Sequence, residues 1–395
     1  MNICFLSYSN SGGAGKATIK LFKSIKKKKI KCSHLFKIKN NNLDYFESFK
    51  EKINRHSRRF EKKKIDSFKS LSLFSYPLWK KINNSNYDII HLTWINELLS
   101  IEDINKINKP IVWTLCDMWP ITGLNHYDNY NKDALWKKKN FYKKKSFSID
   151  KWLINRKIKS WKNISIVCPS KWLLNCSKES VITHKFNKYL IPWPINRDIF
   201  RKKNKKKLRK KFNLPVNNRY IIFNAYNGIS DPRKGWNFLL KAIKISKQSF
   251  DLIIIGESKN IKVKEMKNRK IFSLGKINND VIISDILNCA DLIVIPSKID
   301  NLPQVGLEAQ SCGLPVVTFN CNGLKDLVDH KKNGYLAKPY SPKSLSKGID
   351  WILNKKSQKN LIKNSINKTK ENWDSNIVSE KYIKLYKKIL KERPS

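Results

Sequence analysis

Short apolar runs alternate with longer mixed segments along the first half of this 395-residue chain. Four of these runs have the length and composition of buried strands: Asn2 to Ser7, Asp88 to Leu92, Pro110 to Leu115 and Ile164 to Val167. Helix-length stretches lie between them, and strands that alternate with helices form parallel sheets covered by helices. The alternation therefore predicts an α/β fold.

A second and cleaner series of the same kind begins near residue 220. Its predicted strands are 220–224, 251–255, 271–274, 291–295 and 315–319, and its predicted helices are 235–247, 281–289 and 304–312. Two such series predict two Rossmann-like, doubly wound domains facing a cleft. We place an N-terminal domain at 1–197, a C-terminal domain at 198–370, and a final amphipathic helix within 371–395 that packs back on the N-terminal domain.

The basic, polar segment Ile195 to Leu214 joins the two series, and we expect it to be a solvated linker. The whole chain carries a formal charge of +50, from 81 basic and 31 acidic residues. Lysine, isoleucine and asparagine are in excess together, which favours compositional drift over a surface selected to bind nucleic acid. A peripheral contact with an anionic membrane is the other expectation that this charge supports.

The longest motif runs from Pro296 to Val317, after the predicted strand 291–295. It places Asp300 at the carboxyl end of that strand, where doubly wound sheets bind ligands. The helix after Leu302 and Pro303 directs its first amide groups toward the same place, which favours phosphate. Asp300 and Glu308 are hydrogen-bond acceptors suited to sugar and ribose hydroxyls.

A second motif, Asn227 to Trp236, joins the first strand of the second series to its helix. Arg233 and Lys234 stand at the N-terminus of that helix, where the helix dipole disfavours cations. Their position indicates an anionic partner, and a pyrophosphate would fit.

Two further motifs lie in the first series. Gly12 and Gly13 follow the first strand, in a sequence that departs from both the P-loop and the dinucleotide-binding pattern. Cys116 and Asp117 follow the run 110–115, and His126 comes nine residues after Asp117.

Together these motifs resemble family-4 (group 1) glycosyltransferases, of the type that assembles exopolysaccharide and O-antigen. The resemblance implies the GT-B fold, donor binding by Lys234 and Glu308, a glycine loop that approaches the donor phosphates, and retention at the anomeric carbon. The chain departs from the family pattern at three positions: Asp300 replaces a Glu, Gly228 replaces an Arg for which Arg233 would substitute, and Cys116 replaces the active-site His.

The resemblance predicts a retaining, hexosyltransferase-like enzyme that moves a sugar from a nucleotide-sugar to a glycan or lipid-linked acceptor in cell-envelope polysaccharide synthesis. Asp300, Asp117, His126 and the Cys116 position are its predicted catalytic residues. Glu308, Lys234, Arg233, Gly12, Gly13, Leu302 and Pro303 are the predicted donor-binding residues. We expect no metal or cofactor, no nucleic-acid partner, and a cytoplasmic location at the inner face of the membrane.

Cys116 also leaves alternatives open. A homologue that binds nucleotide-sugars without catalysis would tolerate the loss of the histidine. A GT-B epimerase, which needs no acceptor, is the other enzyme that the donor motifs allow.

Overall fold

The computed structural model describes residues 1–36, 68–75, 77–128, 133–143, 147–225, 228–257, 269–355 and 358–392. The chain divides into two compact units. The N-terminal unit comprises Met1–Pro192 together with Ser379–Ser395, and the C-terminal unit comprises Trp193–Val378.

The N-terminal unit contains a six-stranded parallel sheet of order β2-β1-β3-β4-β5-β6. Its strands are β1 (Asn2–Ser7), β2 (Lys31–Phe36), β3 (Ile89–Leu92), β4 (Ile111–Thr114), β5 (Ile164–Cys168) and β6 (Lys188–Leu190). Its helices are α1 (Gly12–Lys27), α2 (Leu78–Asn83), α3 (Ile101–Asn105), α4 (Lys138–Phe141), α5 (Ile149–Ser160) and α6 (Lys171–Glu179). A short 3-10 turn at Trp119–Ile121 follows β4.

The C-terminal unit contains a second six-stranded parallel sheet, of order β12-β11-β10-β7-β8-β9. Its strands are β7 (Tyr220–Asn224), β8 (Asp251–Ile255), β9 (Ile271–Ser273), β10 (Leu292–Ile295), β11 (Val316–Phe319) and β12 (Gly334–Ala337). Its helices are α7 (Lys205–Lys211), α8 (Trp236–Ile245), α9 (Asp280–Cys289), α10 (Gln304–Ser311), α11 (Leu324–Leu327), α12 (Pro342–Leu353) and α13 (Lys359–Asn372). A last helix, α14 (Ser375–Lys391), begins in this unit and continues into the N-terminal unit.

The predicted strands agree with the observed ones to within a residue or so at each end. The three strands that the apolar runs did not predict are β2, β6 and β12, and each lies at an edge of its sheet. Most residues of these edge strands are only partly buried, whereas every residue of β1, β3 and β4 is buried. These three edge strands cover less apolar surface, so their sequences lack the continuous apolar run of a central strand.

The basic segment 195–214 is not the solvated linker that we expected. Residues Lys205–Lys211 form α7, and the Arg209 guanidinium is buried, where it donates to the carbonyl of Cys289 and to Asp291. Lys203 pairs with Asp285, with 2.7 Å between Nζ and Oδ1. The acids that hold this segment lie about eighty positions later in the sequence, so the local run of lysines did not reveal them.

The division between the units also comes earlier than we placed it, after Pro192 rather than after residue 197. The backbone at Ile195 is already bound within the C-terminal unit, because its amide donates to the carbonyl of Trp373 at 2.7 Å. Within the N-terminal unit, the hydroxyl groups of Tyr382 and Tyr386 on α14 bond to Thr114 and His91 of the sheet. These buried tyrosines attach the end of the chain to that sheet.

Candidate functional site

In the C-terminal unit, the loops after β7 and β10 meet at an ion pair. Lys234 ends the loop after β7, and its ammonium lies 2.6 Å from Oδ2 of Asp300 in the loop after β10. Arg233 approaches the same carboxylate oxygen at 3.5 Å and donates to the carbonyl of Ile299 at 3.3 Å. The structure thus brings together three of the predicted site residues at the carboxyl ends of two neighbouring strands.

A glycine allows these loops to approach each other. Gly235 has a φ of +74°, and a Cβ at this position would lie 1.9 Å from the carbonyl oxygen of Pro296. The amide of Lys298 also donates to the carbonyl of Arg233 at 2.8 Å. Any larger residue at 235 would therefore push the loop of Lys234 away from the loop of Asp300.

A third loop, after β11, supports the Asp300 backbone. The Asn322 side chain accepts from the Asp300 amide at 3.2 Å, and the Gly323 amide donates to the Asp300 carbonyl at 3.1 Å. Ser297 donates to the Asp300 carboxylate at 3.3 Å. Sequence reasoning missed Ser297, Asn322 and Gly323; only their position after predicted strands could have indicated them.

The charges in this cluster depend on one another. Burial raises the pKa of the Asp300 carboxyl, but Lys234 and Arg233 more than compensate and hold that pKa below its ordinary value. Burial lowers the pKa of Lys234, Arg233 lowers it further, and Asp300 opposes both. The Asp300 carboxylate is therefore ionised at neutral pH, with two cations beside it.

The other predicted donor-binding residues of this unit lie on or beside α10. Leu302 and Pro303 are buried or nearly so and lead into the helix, for which Pro303 is the N-cap. Glu308 lies in the second turn of α10 and is 6% exposed. Of the motif Asn227 to Trp236, Asn227 lies outside the described residues, and Gly228 begins a short 3-10 turn.

Gly12 and Gly13 form the start of α1 in the N-terminal unit. Gly12 has a φ of +70°, and a Cβ at either glycine would meet nothing within 4 Å. Gly15 differs, because a Cβ there would lie 2.6 Å from the carbonyl oxygen of Ser9. The predicted phosphate-binding glycines therefore border open space, while the neighbouring glycine is required for packing.

Asp117 and His126, the predicted catalytic pair of the N-terminal unit, are bonded to each other. His126 Nδ1 lies 2.6 Å from Asp117 Oδ2, and His126 Nε2 lies 2.9 Å from the hydroxyl of Ser70. Trp94 Nε1 donates to the same Asp117 oxygen at 2.9 Å, and the Trp119 amide donates to Oδ1 at 3.0 Å. Both ring nitrogens of buried His126 therefore have hydrogen-bond partners, and the ring holds the Asp117 carboxylate in place.

Cys116 precedes this pair and is partly exposed. Burial of the thiol raises its pKa well above the ordinary value, and the charge of Asp117 raises it further. The thiol therefore stays protonated at neutral pH and is no nucleophile.

A buried lysine that the sequence did not indicate holds the segment after Asp117. Lys157 on α5 is 0% exposed, and its ammonium donates to the carbonyls of Trp119, Thr122 and Gly123 at 2.6, 2.9 and 2.8 Å. It also lies 3.8 Å from the ring centroid of Trp119. Because the sequence around Lys157 contains many other lysines, composition did not indicate that this one is buried.

Residues 204–368 match the family model described as "Glycosyl transferases group 1". The matched part contains Lys234, Asp300 and Glu308. The match agrees with the resemblance to group 1 glycosyltransferases that the motifs carry.

The chain also resembles curated proteins over part of their length. It is 33% identical over 110 residues to the N,N'-diacetylbacillosaminyl-diphospho-undecaprenol alpha-1,3-N-acetylgalactosaminyltransferase of Campylobacter jejuni, covering 28% of this chain and 29% of that protein. The chain matches about a third of the length of the first such relatives.

Solved structures match nearly the whole chain. A sucrose-phosphate synthase from Thermosynechococcus elongatus aligns with a TM-score of 0.69 at 14% identity, covering 99% of this chain and 100% of its own. Anabaena Alr3699/HepE in complex with UDP-glucose aligns with a TM-score of 0.64 at 17% identity, covering 98% and 100%. These likenesses confirm the prediction of two doubly wound domains of the GT-B type.

Proposed function

We propose that this chain is a glycosyltransferase that moves a sugar from a nucleotide-sugar donor to an acceptor hydroxyl. The observation that carries the proposal is the contact of Lys234 and Arg233 with Asp300, at the carboxyl ends of β7 and β10, inside the group 1 domain. Cations that converge beside an ionised carboxylate suit a ligand that has both a diphosphate and sugar hydroxyls.

In this proposal Lys234 and Arg233 stabilise the diphosphate as it leaves the sugar. An ammonium has three donor hydrogens, and Lys234 directs one of them to Asp300. The others are available to phosphate oxygens, whose negative charge grows as the glycosidic bond breaks. Asp300, which its neighbours keep ionised, would accept a hydrogen bond from a sugar hydroxyl and so orient the donor.

Glu308 completes the donor site in this proposal by accepting the ribose hydroxyls. It is buried on α10, close in sequence to the helix N-terminus that would face the phosphates. Leu302 and Pro303 would position that helix start, and Gly12 and Gly13 stay predicted donor-binding residues.

The resemblance to family 4 supports the finer parts of the proposal. We infer a retaining reaction that needs no metal or cofactor and serves cell-envelope polysaccharide synthesis. The name of the Campylobacter relative includes a diphospho-undecaprenol acceptor, which supports a lipid-linked acceptor here. Such an acceptor favours a cytoplasmic protein in peripheral contact with the inner face of the membrane.

Cys116 favours one other function, that of a nucleotide-sugar-binding protein without catalysis. Its protonated thiol cannot replace the family imidazole, and His126 is turned to Asp117 and Ser70. Donor binding without transfer or hydrolysis, across a panel of acceptors, would support this function. Interconversion of the donor sugar without an acceptor would indicate an epimerase instead.

The proposal is tested by calorimetric titration with UDP, GDP and their sugar conjugates. We expect one nucleoside diphosphate to bind the wild type, and Glu308→Gln to weaken that binding by about tenfold or more, the range of a lost hydrogen bond to a charged group. The exposed Glu371→Gln is the matched control. Unchanged affinity in a folded Glu308→Gln variant would contradict the assignment of Glu308 to the ribose. If no nucleoside diphosphate binds the wild type, the proposed glycosyltransferase function is wrong.

A further inference from the structure

Large apolar side chains are unusually exposed on one part of the N-terminal unit. Phe147 is 82% exposed and Tyr142 is 75% exposed, the two highest values for such side chains among the described residues. Ile149 and Trp152 follow at 46% and 39%. Four exposed apolar side chains within eleven positions are more than the scattered single ones of an ordinary surface.

Helix α5 arranges part of this set as a stripe. Ile149, Trp152, Asn155 and Lys159 are exposed, at spacings of three or four residues that place them on one face of the helix. The opposite face, with Leu153 and Ile154, is buried in the unit. The Ser148 side chain caps the helix by accepting from the Lys151 amide, which fixes the helix start just after Phe147.

Contacts within the unit bring Tyr142 to the same place. Its ring lies 5.3 Å from that of Phe141, and the Phe141 ring lies 5.8 Å from the ammonium of Lys151 on α5. The end of α4 therefore lies beside the first turn of α5. Tyr142, Phe147, Ile149 and Trp152 form one surface, together with exposed Lys138, Lys139, Lys143 and Lys159; we call it the aromatic–basic surface.

The charge of this surface has one sign. The acids of the described residues from 133 to 160 are Asp133 and Asp150, and Asp150 turns inward to accept from the Leu124 amide at 2.8 Å. Two nearby cations are already bound to acids: Arg156 to Glu102 and Lys137 to Glu179. The exposed charged side chains that we assign to this surface are therefore lysines.

We propose that the aromatic–basic surface docks this protein on an anionic lipid surface. Aromatic side chains favour the boundary between water and hydrocarbon, and lysines around them are attracted by anionic headgroups. A second copy of the chain fits this surface poorly, because the lysines of the two copies would repel each other. A nucleic acid fits poorly because apolar side chains such as Ile149 and Phe147 form no favourable contact with a phosphate backbone. The inference deepens the proposed function, since a transferase with a lipid-linked acceptor must reach it, but it is tested without donor or acceptor.

The test is co-sedimentation of the full chain with phosphatidylcholine vesicles, with and without phosphatidylglycerol. We expect the wild type to pellet with the anionic vesicles only, and to be released by salt. Phe147→Ser combined with Trp152→Ser should reduce the binding by about tenfold or more, because both aromatic side chains lose their burial in lipid. Lys138→Glu combined with Lys139→Glu should reduce it as well.

Matched controls come from the C-terminal unit. Val281→Ser with Ile282→Ser removes two exposed apolar side chains, and Lys206→Glu with Lys207→Glu reverses two exposed charges. The proposal predicts that both control proteins bind vesicles as the wild type does. If the test and control variants lose vesicle binding equally, the vesicles attract the protein through its overall charge alone, and the proposal is overturned.

Other results would overturn the proposal in favour of another partner. If the wild type does not bind vesicles but forms a concentration-dependent dimer, and the Phe147 and Trp152 substitutions dissociate that dimer, the surface binds a second copy of the chain. Binding to random RNA but not to vesicles would assign it to nucleic acid. Nucleoside diphosphate affinity, measured on the same variants without lipid, should equal that of the wild type, so failure of docking and failure of the proposed function give different results.

Discussion

The two units each contain a desolvated lysine beside a loop that follows a strand, and the two lysines differ in what they bind. Lys157 in the N-terminal unit is fully buried and donates to three main-chain carbonyls. Lys234 in the C-terminal unit has a side chain 22% exposed and pairs with one carboxylate. Burial lowers the pKa of both ammonium groups.

The difference separates a structural cation from one that can bind a ligand. The three carbonyl acceptors of Lys157 match the three hydrogens of an ammonium ion, so no donor is left for another partner. The Lys234 ammonium instead lies beside Asp300 and Arg233, in a cluster where an arriving phosphate can compete for its charge. Partner type and exposure distinguish these two lysines, whereas the direction of their pKa shifts does not.

The largest expected effect is on stability, from Lys157→Met. The change keeps the length of the side chain but leaves three carbonyls without their donor, and we expect a loss of about 3–5 kcal/mol in the free energy of unfolding. Denaturant titration measures it, with exposed Lys159→Met as the control. A loss below about 1 kcal/mol would mean that water or a rearranged loop replaces the ammonium, and that Lys157 is not the structural cation we describe.

The next effect is on binding, from Lys234→Ala. We expect the affinity for a nucleoside diphosphate to fall by about 1.5–3 kcal/mol, the range of a charge-assisted hydrogen bond, and the remaining affinity to depend less on salt. Calorimetry on the variant measures both, and Lys241→Ala on the exposed face of α8 is the control. Normal binding by Lys234→Ala together with loss in Arg233→Ala would show that the two cations have exchanged roles.

The smallest effect concerns pH and the buried polar groups of the N-terminal unit. Burial lowers the pKa of His91 to about 3, and both its ring nitrogens are hydrogen bonded, to Tyr386 and Thr114. The unfolded chain takes up a proton near pH 6.5 while the folded chain does not, so stability falls as the pH falls. Between pH 7 and pH 5 we expect a loss of about 2 kcal/mol.

Denaturant titrations at several pH values give this slope. In His91→Gln the slope should shrink, although His34, whose pKa burial also lowers, contributes in the same direction in both proteins. Asp300 adds nothing to the slope between pH 7 and pH 5. Its pKa in the folded chain is lowered, so its stabilising effect is lost only at a pH below that window. An equal slope in wild type and variant would assign the pH dependence to other groups.

The sequence by itself determined the architecture, and it indicated Lys234, Arg233 and Asp300 as candidate site residues. Central strands are buried on both faces, so their apolar runs were visible, and Lys234, Arg233 and Asp300 lie in the loops that follow two such strands. Their contact was not predicted, because it depends on the sheet order, which places β7 beside β10. The edge strands β2, β6 and β12 were missed because half-buried strands need no continuous apolar run.

Only the tertiary structure decided which polar residues are internal. Asp117 and His126 were predicted as catalytic from their place in a motif, but Ser70 and Trp94, from distant parts of the chain, occupy His126 Nε2 and share the Asp117 carboxylate. Lys157 became a buried cation because three carbonyls fold around it. Composition and local pattern record residue type, whereas burial and hydrogen-bond partners depend on contacts between residues far apart in sequence.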